Sequence, residues 1–216
     1  KDTHMELELK KECLDTYELG EPQTLTQEET AETIVPDYCP DIARIISAEG
    51  VVCLHGGTEQ DGVTGTVRVT VLYTPENESG VRALEFAMPF SAQGEGVAGC
   101  AHVVVETEIE LLESRMLNPR KIFTRCKLVT HLTGCRKVCL TISSDAETDP
   151  ALLVEKRCCG QTVSLLRQVA EKDLTFSETM SLSLGGEGAA ELVHCGGNGI
   201  VTEALAVGNQ LIHKGV

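Results

Sequence analysis

The stretch VTGTVRVTVLYT, residues 63–74, constrains the fold more than any other part of the chain. Val63, Val67, Val69, Val71 and Tyr73 alternate with Thr64, Thr66, Arg68, Thr70 and Thr74. A period of two in β-branched residues is the pattern of a half-buried strand and suits no helix. The same rhythm returns downstream. Leu84, Phe86, Met88 and Phe90 form one apolar set, and TPENESGV supplies the turn that brings the second strand back against the first. In AHVVVETEIELL, Val103, Val105, Ile109 and Leu111 alternate with Glu106, Glu108 and Glu110, which share a solvent-facing side. KIFTRCKLVTHL and KVCLTIS read as two further strands, preceded by a turn at Asn118-Pro119. Strands at this spacing, separated by Gly, Pro and Asn, predict a mainly β chain: an antiparallel sandwich or barrel-like domain with short helical turns. With 3% aromatic residues and no Trp, its core must rest on Val, Ile, Leu and Ala. No apolar run reaches the roughly 18 residues of a membrane-spanning helix, so no membrane span is expected.

The segment in front of these strands is different. Residues 6–35 are polar and acidic and bury little by themselves, which predicts an edge strand or an arm lying over something else. It ends in VPDYCPDIARIIS, residues 35–47, where two Pro-Asp pairs precede three isoleucines. Each proline fixes its own φ and pushes the preceding residue towards extended geometry. Asp37 and Asp41 are expected to accept backbone N–H groups as turn and cap residues do. Asp41 followed by IARIIS therefore reads as a capped helical turn carrying Ile42, Ile45 and Ile46 on one side. Pro36, Asp37, Pro40, Asp41, Ile42, Ile45 and Ile46 together form a stiffened hook that anchors the arm to the body.

Charge is uneven along the chain. Residues 1–50 hold 13 Asp and Glu against 4 Lys and Arg, whereas Ser114 to Ser144 carries Arg115, Arg120, Lys121, Arg125, Lys127, Arg136 and Lys137 with no acid. Either these charges pair inside one molecule, or the acidic end of one copy meets the basic stretch of the next. A net charge of −15 argues against nucleic acid, whose phosphates require a basic surface.

Ten cysteines occur without a visible signal peptide. Cys53 and Cys126 lie in apolar strand-like runs and read as small core residues. Cys13, Cys135, Cys139, Cys158 and Cys159 are the candidates for crosslinking between copies. His131 and the Cys135-x3-Cys139 spacing raise zinc as an alternative, but a second knuckle is missing. No metal or cofactor is expected. Catalysis would need a base held against its partner in a cleft. No Gly-x-Ser-x-Gly, Walker loop or His-Glu-x-x-His is present, and His102 and His131 sit within strands, so no catalytic residue is assigned. A glycan or cell-wall-binding module is the remaining alternative, for which Tyr17, Tyr38 and Tyr73 are the only tyrosines available to stack on sugars.

An internal echo divides the chain. LKKECLDTY and the hook have a looser counterpart in VEKRCCGQT and AAELVHCGGNGIV, with Gly65 and Gly215 in corresponding places. Residues 1–4 read as an expression scar and 5–148 as a first β domain whose acidic arm is 5–34. Residues 149–216 read as a connector, with a helical turn in DPALLVEKRCCG, and the opening of a second similar repeat that ends in a strand pair around a Gly-Asn turn. The natural chain is expected to continue beyond Val216.

The hook from Pro36 to Ile45, the strand and turn TGTVRVTVLYTPE, and LEFAMPFSAQGEGVAG together resemble the SPOCS domain family. These are spore-coat-assembly modules of endospore-forming Firmicutes, and the resemblance spans roughly residues 5–145. It implies a non-enzymatic, self-associating structural protein, made in the mother-cell cytoplasm and ending in the spore envelope. Its implied partners are copies of itself, as a homo-oligomer, and other envelope proteins. Some members carry a LysM domain; no LysM-like stretch is present here, so that domain's ligand is not carried over.

Overall fold

A computed structural model describes residues 8–55, 62–147, 155, 157, 159–167, 177, 179, 181, 191–197 and 199–215. The chain is mainly β, and its two principal sheets face one another without closing into a barrel. The first sheet is built on one long strand, β7 (Lys121–Glu147). Strand β2 (Gln23–Ile34) runs antiparallel along β7 from Lys121 to Leu132. Strand β1 (Glu8–Leu19) continues along the same edge from Cys135 to Glu147. Strand β6 (His102–Asn118) occupies the opposite edge, but only as far as Cys135. The second sheet places β4 (Gly62–Pro75) between β3 (Ile42–His55) and β5 (Arg82–Gln93), all antiparallel. One 3-10 turn, Glu95–Val97, links the sheets after β5. Farther on, β8 (Val201–Val207) and β9 (Gln210–Gly215) form the expected hairpin, whose tight turn has Gly208 at φ +59°.

The alternation of β4 works as expected: Val63, Val67, Val69, Val71 and Tyr73 are all buried. Opposite them, the even-numbered residues of β7 from Ile122 to Leu132 form the inner face, with Thr124 and Thr130 buried among the apolar ones. Those two hydroxyls bond to Ser114 at 2.8 Å and Thr107 at 3.0 Å, so neither is buried unsatisfied. Leu84, Met88 and Phe90 close the core from β5, with Phe86 packed beside them. Each valine or leucine withdrawn from water in this way stabilises the fold by about 1.5–3 kcal/mol.

Three expectations are corrected. IARIIS forms no helical turn; it is the start of β3. Bulges between Ile42 and Arg44 and between Ile45 and Ser47 insert extra residues, so the inward positions Ile42, Ile45 and Ala48 fall three apart and imitate helical spacing. Ile42 is fully buried and Ile45 packs against the core, but Ile46 is 46% exposed. KIFTRCKLVTHL and KVCLTIS are likewise one strand, because Gly134 lies within β7 and turns nothing. In β6 a bulge between Ile109 and Leu111 hands the inward place to Leu112, and Glu110 pairs with Lys127 at 2.8 Å. The helical turn expected in DPALLVEKRCCG falls on a stretch lying mostly outside the described residues.

Candidate assembly surface

The hook between β2 and β3 carries the chain from one sheet to the other, and a single side chain organises it. Cys39 N–H donates to the Pro36 carbonyl at 2.9 Å, closing a β-turn with Asp37 and Tyr38 at its centre. Asp37 and Asp41 do not cap the backbone of their own segment. Both face Arg120, from the turn between β6 and β7. Its Nη1 donates to the Cys39 carbonyl at 2.8 Å and to Asp41 Oδ1 at 3.0 Å; its Nη2 donates to the Val35 carbonyl at 2.9 Å and to Asp37 Oδ1 at 3.1 Å. A planar guanidinium fork suits this arrangement better than an ammonium would. The two backbones also lace together. Val35 N–H donates to the Arg120 carbonyl and Ile42 N–H to the Pro119 carbonyl, each at 2.9 Å. Pro40 has no N–H to satisfy, and its carbonyl accepts the Tyr73 hydroxyl at 3.3 Å. Burial, followed by the neighbouring Cys39, raises the Tyr73 pKa. Tyr38, at the turn's tip, is 87% exposed.

In the amino-acid sequence Arg120 is one member of a basic run, with nothing local to set it apart. Its signal is the pairing of two prolines and two aspartates four residues apart with an arginine directly after an Asn-Pro turn.

The acidic arm meets the basic stretch inside the same molecule. Lys121 pairs with Glu32, Arg125 Nε lies 3.4 Å from Glu28 Oε2, and Lys137 Nζ lies 2.8 Å from Asp15 Oδ2. The Asp15 carboxylate raises the Lys137 pKa, through its hydrogen bond first and its charge second. Arg115 lies over the Phe123 ring at 4.9 Å. Glu28, Glu113, Arg115, Phe123 and Arg125 line an open cavity of about 700 Å³ on this outer face.

Beyond Cys135 the first sheet narrows, among the described residues, to a ribbon of β1 and β7. The sulfurs of Cys13 and Cys139 are bonded to each other across it, with Cα atoms 5.5 Å apart. This corrects the expectation for both residues: their thiols crosslink two strands of one chain and are not available to join copies. Cys135 is partly buried, Cys159 is exposed, and Cys158 lies outside the described residues. Cys126 is buried, which pushes its thiol pKa up to about 11, with Glu29 adding to the rise. Zinc held by His131, Cys135 and Cys139 is excluded by geometry. Four residues along a strand span about 13 Å, too far for neighbours in the set to share an ion. His131 Nδ1 instead contacts Thr24 Oγ1 at 3.0 Å.

Among the described residues, the later segment touches the body at Leu166 and around His194. The Leu166 carbonyl accepts Tyr17 N–H at 3.1 Å on the outer edge of β1, and His194 Nε2 lies 3.3 Å from Glu49 Oε2 on the second sheet. No family model, curated protein or solved structure matches the chain. Of the three tyrosines, Tyr73 is core, Tyr17 packs against His102 with ring centroids 5.7 Å apart, and Tyr38 is exposed.

Proposed function

We propose that this protein is a non-enzymatic structural module of the bacterial spore envelope, related to the SPOCS domains, that works by associating with copies of itself and with other envelope proteins. The family resemblance rests on the hook and the strands that follow it. The assembly reading rests on one observation above the rest: the β1–β7 ribbon, held by Cys13–Cys139, lies outside both core clusters and contributes little to the core and much to the outer surface. A two-stranded ribbon is marginal in water by itself, so a crosslinked one is suited to a role in contact. Mother-cell synthesis followed by deposition on the developing spore is the implied route. A fluorescent fusion expressed in a sporulating bacterium tests it. Signal should gather as a shell on the forespore surface, and diffuse signal throughout the mother cell overturns the reading.

A further inference from the structure

The edge of β7 that faces away from β1 loses its partner at Cys135. There the Cys135 carbonyl accepts Ala101 N–H at 2.8 Å, while the Gly134 carbonyl accepts Gly20 N–H at 2.8 Å on the opposite edge. Backbone groups of successive strand residues point to alternate edges. Lys137, Cys139, Thr141 and Ser143 therefore direct their N–H and C=O groups away from β1, and among the described residues no backbone hydrogen bond reaches them. The register with β1 is regular from Cys135 to Ser143 and then shifts, with Lys10 opposite Asp145 and Lys11 opposite Ser143. The bulge ends the straight edge. The outer edge of β1, by contrast, is already bonded to Leu166.

We propose that a second copy of this chain adds to this edge, β7 against β7 in antiparallel sense, to give a four-stranded sheet in the order β1–β7–β7–β1. The proposal rests on the self-association reading above and specifies its surface. Three features select a second copy. The strand is basic where it leaves the sandwich, at Arg136 and at Lys137, which already pairs with Asp15, and acidic where it ends, at Glu147. Antiparallel pairing with its own copy brings each basic start towards the partner's acidic end, whereas parallel pairing would set like against like. Second, Val138, Leu140 and Ile142 continue the inner face of Ile122, Cys126, Leu128 and Leu132 outside both core clusters, with Val138 and Ile142 half-buried and Leu140 37% exposed. Pairing centred near Leu140 joins this row to its symmetry mate and makes one apolar strip across four strands. Third, the Cys13–Cys139 bond holds the ribbon in its paired form before association, which lowers the ordering cost of docking. An isologous contact of this kind closes at two copies.

Thr141→Pro tests the edge directly. Thr141 points its N–H outward, so the substitution removes a donor from the open edge and none from the ladder with β1. Sedimentation velocity of the full chain over a concentration series under oxidising conditions should show a monomer–dimer equilibrium. In Thr141→Pro the dissociation constant should rise at least ten-fold, with amide protection of the β1–β7 ladder retained. Thr141→Lys, which keeps every backbone group and adds a charge on the exposed face, should weaken association in the same direction and covers the case in which the proline disturbs the ribbon. Dimerisation unchanged in both variants overturns this edge and leaves the assembly reading to another surface. A wild-type chain that is monomeric at every concentration overturns this edge, and failure of the fusion to reach the forespore separately overturns the function.

Discussion

Arg120 decides how the hook is held. It spends four hydrogen bonds on two carboxylates and two carbonyls, and it joins the turn between β6 and β7 to the crossover between the sheets. Hydrogen bonds to charged groups contribute about 1.5–3 kcal/mol when broken, and partial exposure places each pair here at the lower end. Arg120→Ala should therefore lower unfolding free energy by about 2 kcal/mol in a urea titration, and Arg120→Lys should recover less than half of that. Two other residues set the alkaline limit. Burial raises Tyr73, and raises Cys126 to about 11. For both, the folded state keeps the neutral form at a pH where the unfolded chain would ionise. Their contribution is complete below the unfolded pKa, near pH 9 for the thiol and 10 for the phenol, and is lost as pH rises through the folded values. Stability should be flat from pH 7 to about 8.5 and fall above pH 9, as followed by circular dichroism. In the native protein at pH 8, iodoacetamide should modify Cys159 and Cys195 and leave Cys126 untouched, as mass spectrometry of the digest would show.

Among the elements, β7 carries the most. Its first half has strands on both edges and a buried inner face; its second half pairs, among the described residues, with β1 alone. Cys13 and Cys139 are 126 residues apart in sequence, so the bond between them closes a large loop in the unfolded chain. A chain-entropy argument assigns a loop of this length about 5 kcal/mol, of which disulfides typically deliver about 2–4 kcal/mol. Reduction with dithiothreitol should lower the denaturation midpoint accordingly and raise amide exchange in 136–147 before the sandwich opens. The close approach of β3 to β6 rests on Gly50. A Cβ there would lie 2.7 Å from Ile109 Cδ1 and 3.1 Å from Leu112 Cδ2, so Gly50→Ala should cost about 1–3 kcal/mol through overpacking, measurable as a lower thermal midpoint.

Across the molecule, charge is settled largely within one chain: the acidic arm lies along the basic strand, and Lys121, Arg125 and Lys137 meet Glu32, Glu28 and Asp15. The proposed contact between copies therefore draws on backbone edges and a short apolar row more than on opposite net charges. The β class and the burial of Val67, Val69, Val71 and Tyr73 were legible in the amino-acid order, because side chains on a pleated strand alternate by geometry alone. The misread hook shows the limit of that rule. Two bulges in β3 place Ile42, Ile45 and Ala48 at helical spacing, and a bulge is defined by the partner strand, which local sequence does not contain. The same holds for Arg120, whose ligands lie about 80 residues upstream, and for Cys13, whose partner nothing nearby identifies. Local order determined which residues could pair in strands and which must be hidden from water. Tertiary structure alone decided where the strands shift register, which carboxylates surround the arginine, and which stretch of β7 pairs on one edge only among the described residues, since each depends on residues that meet only after the two sheets have closed on one another.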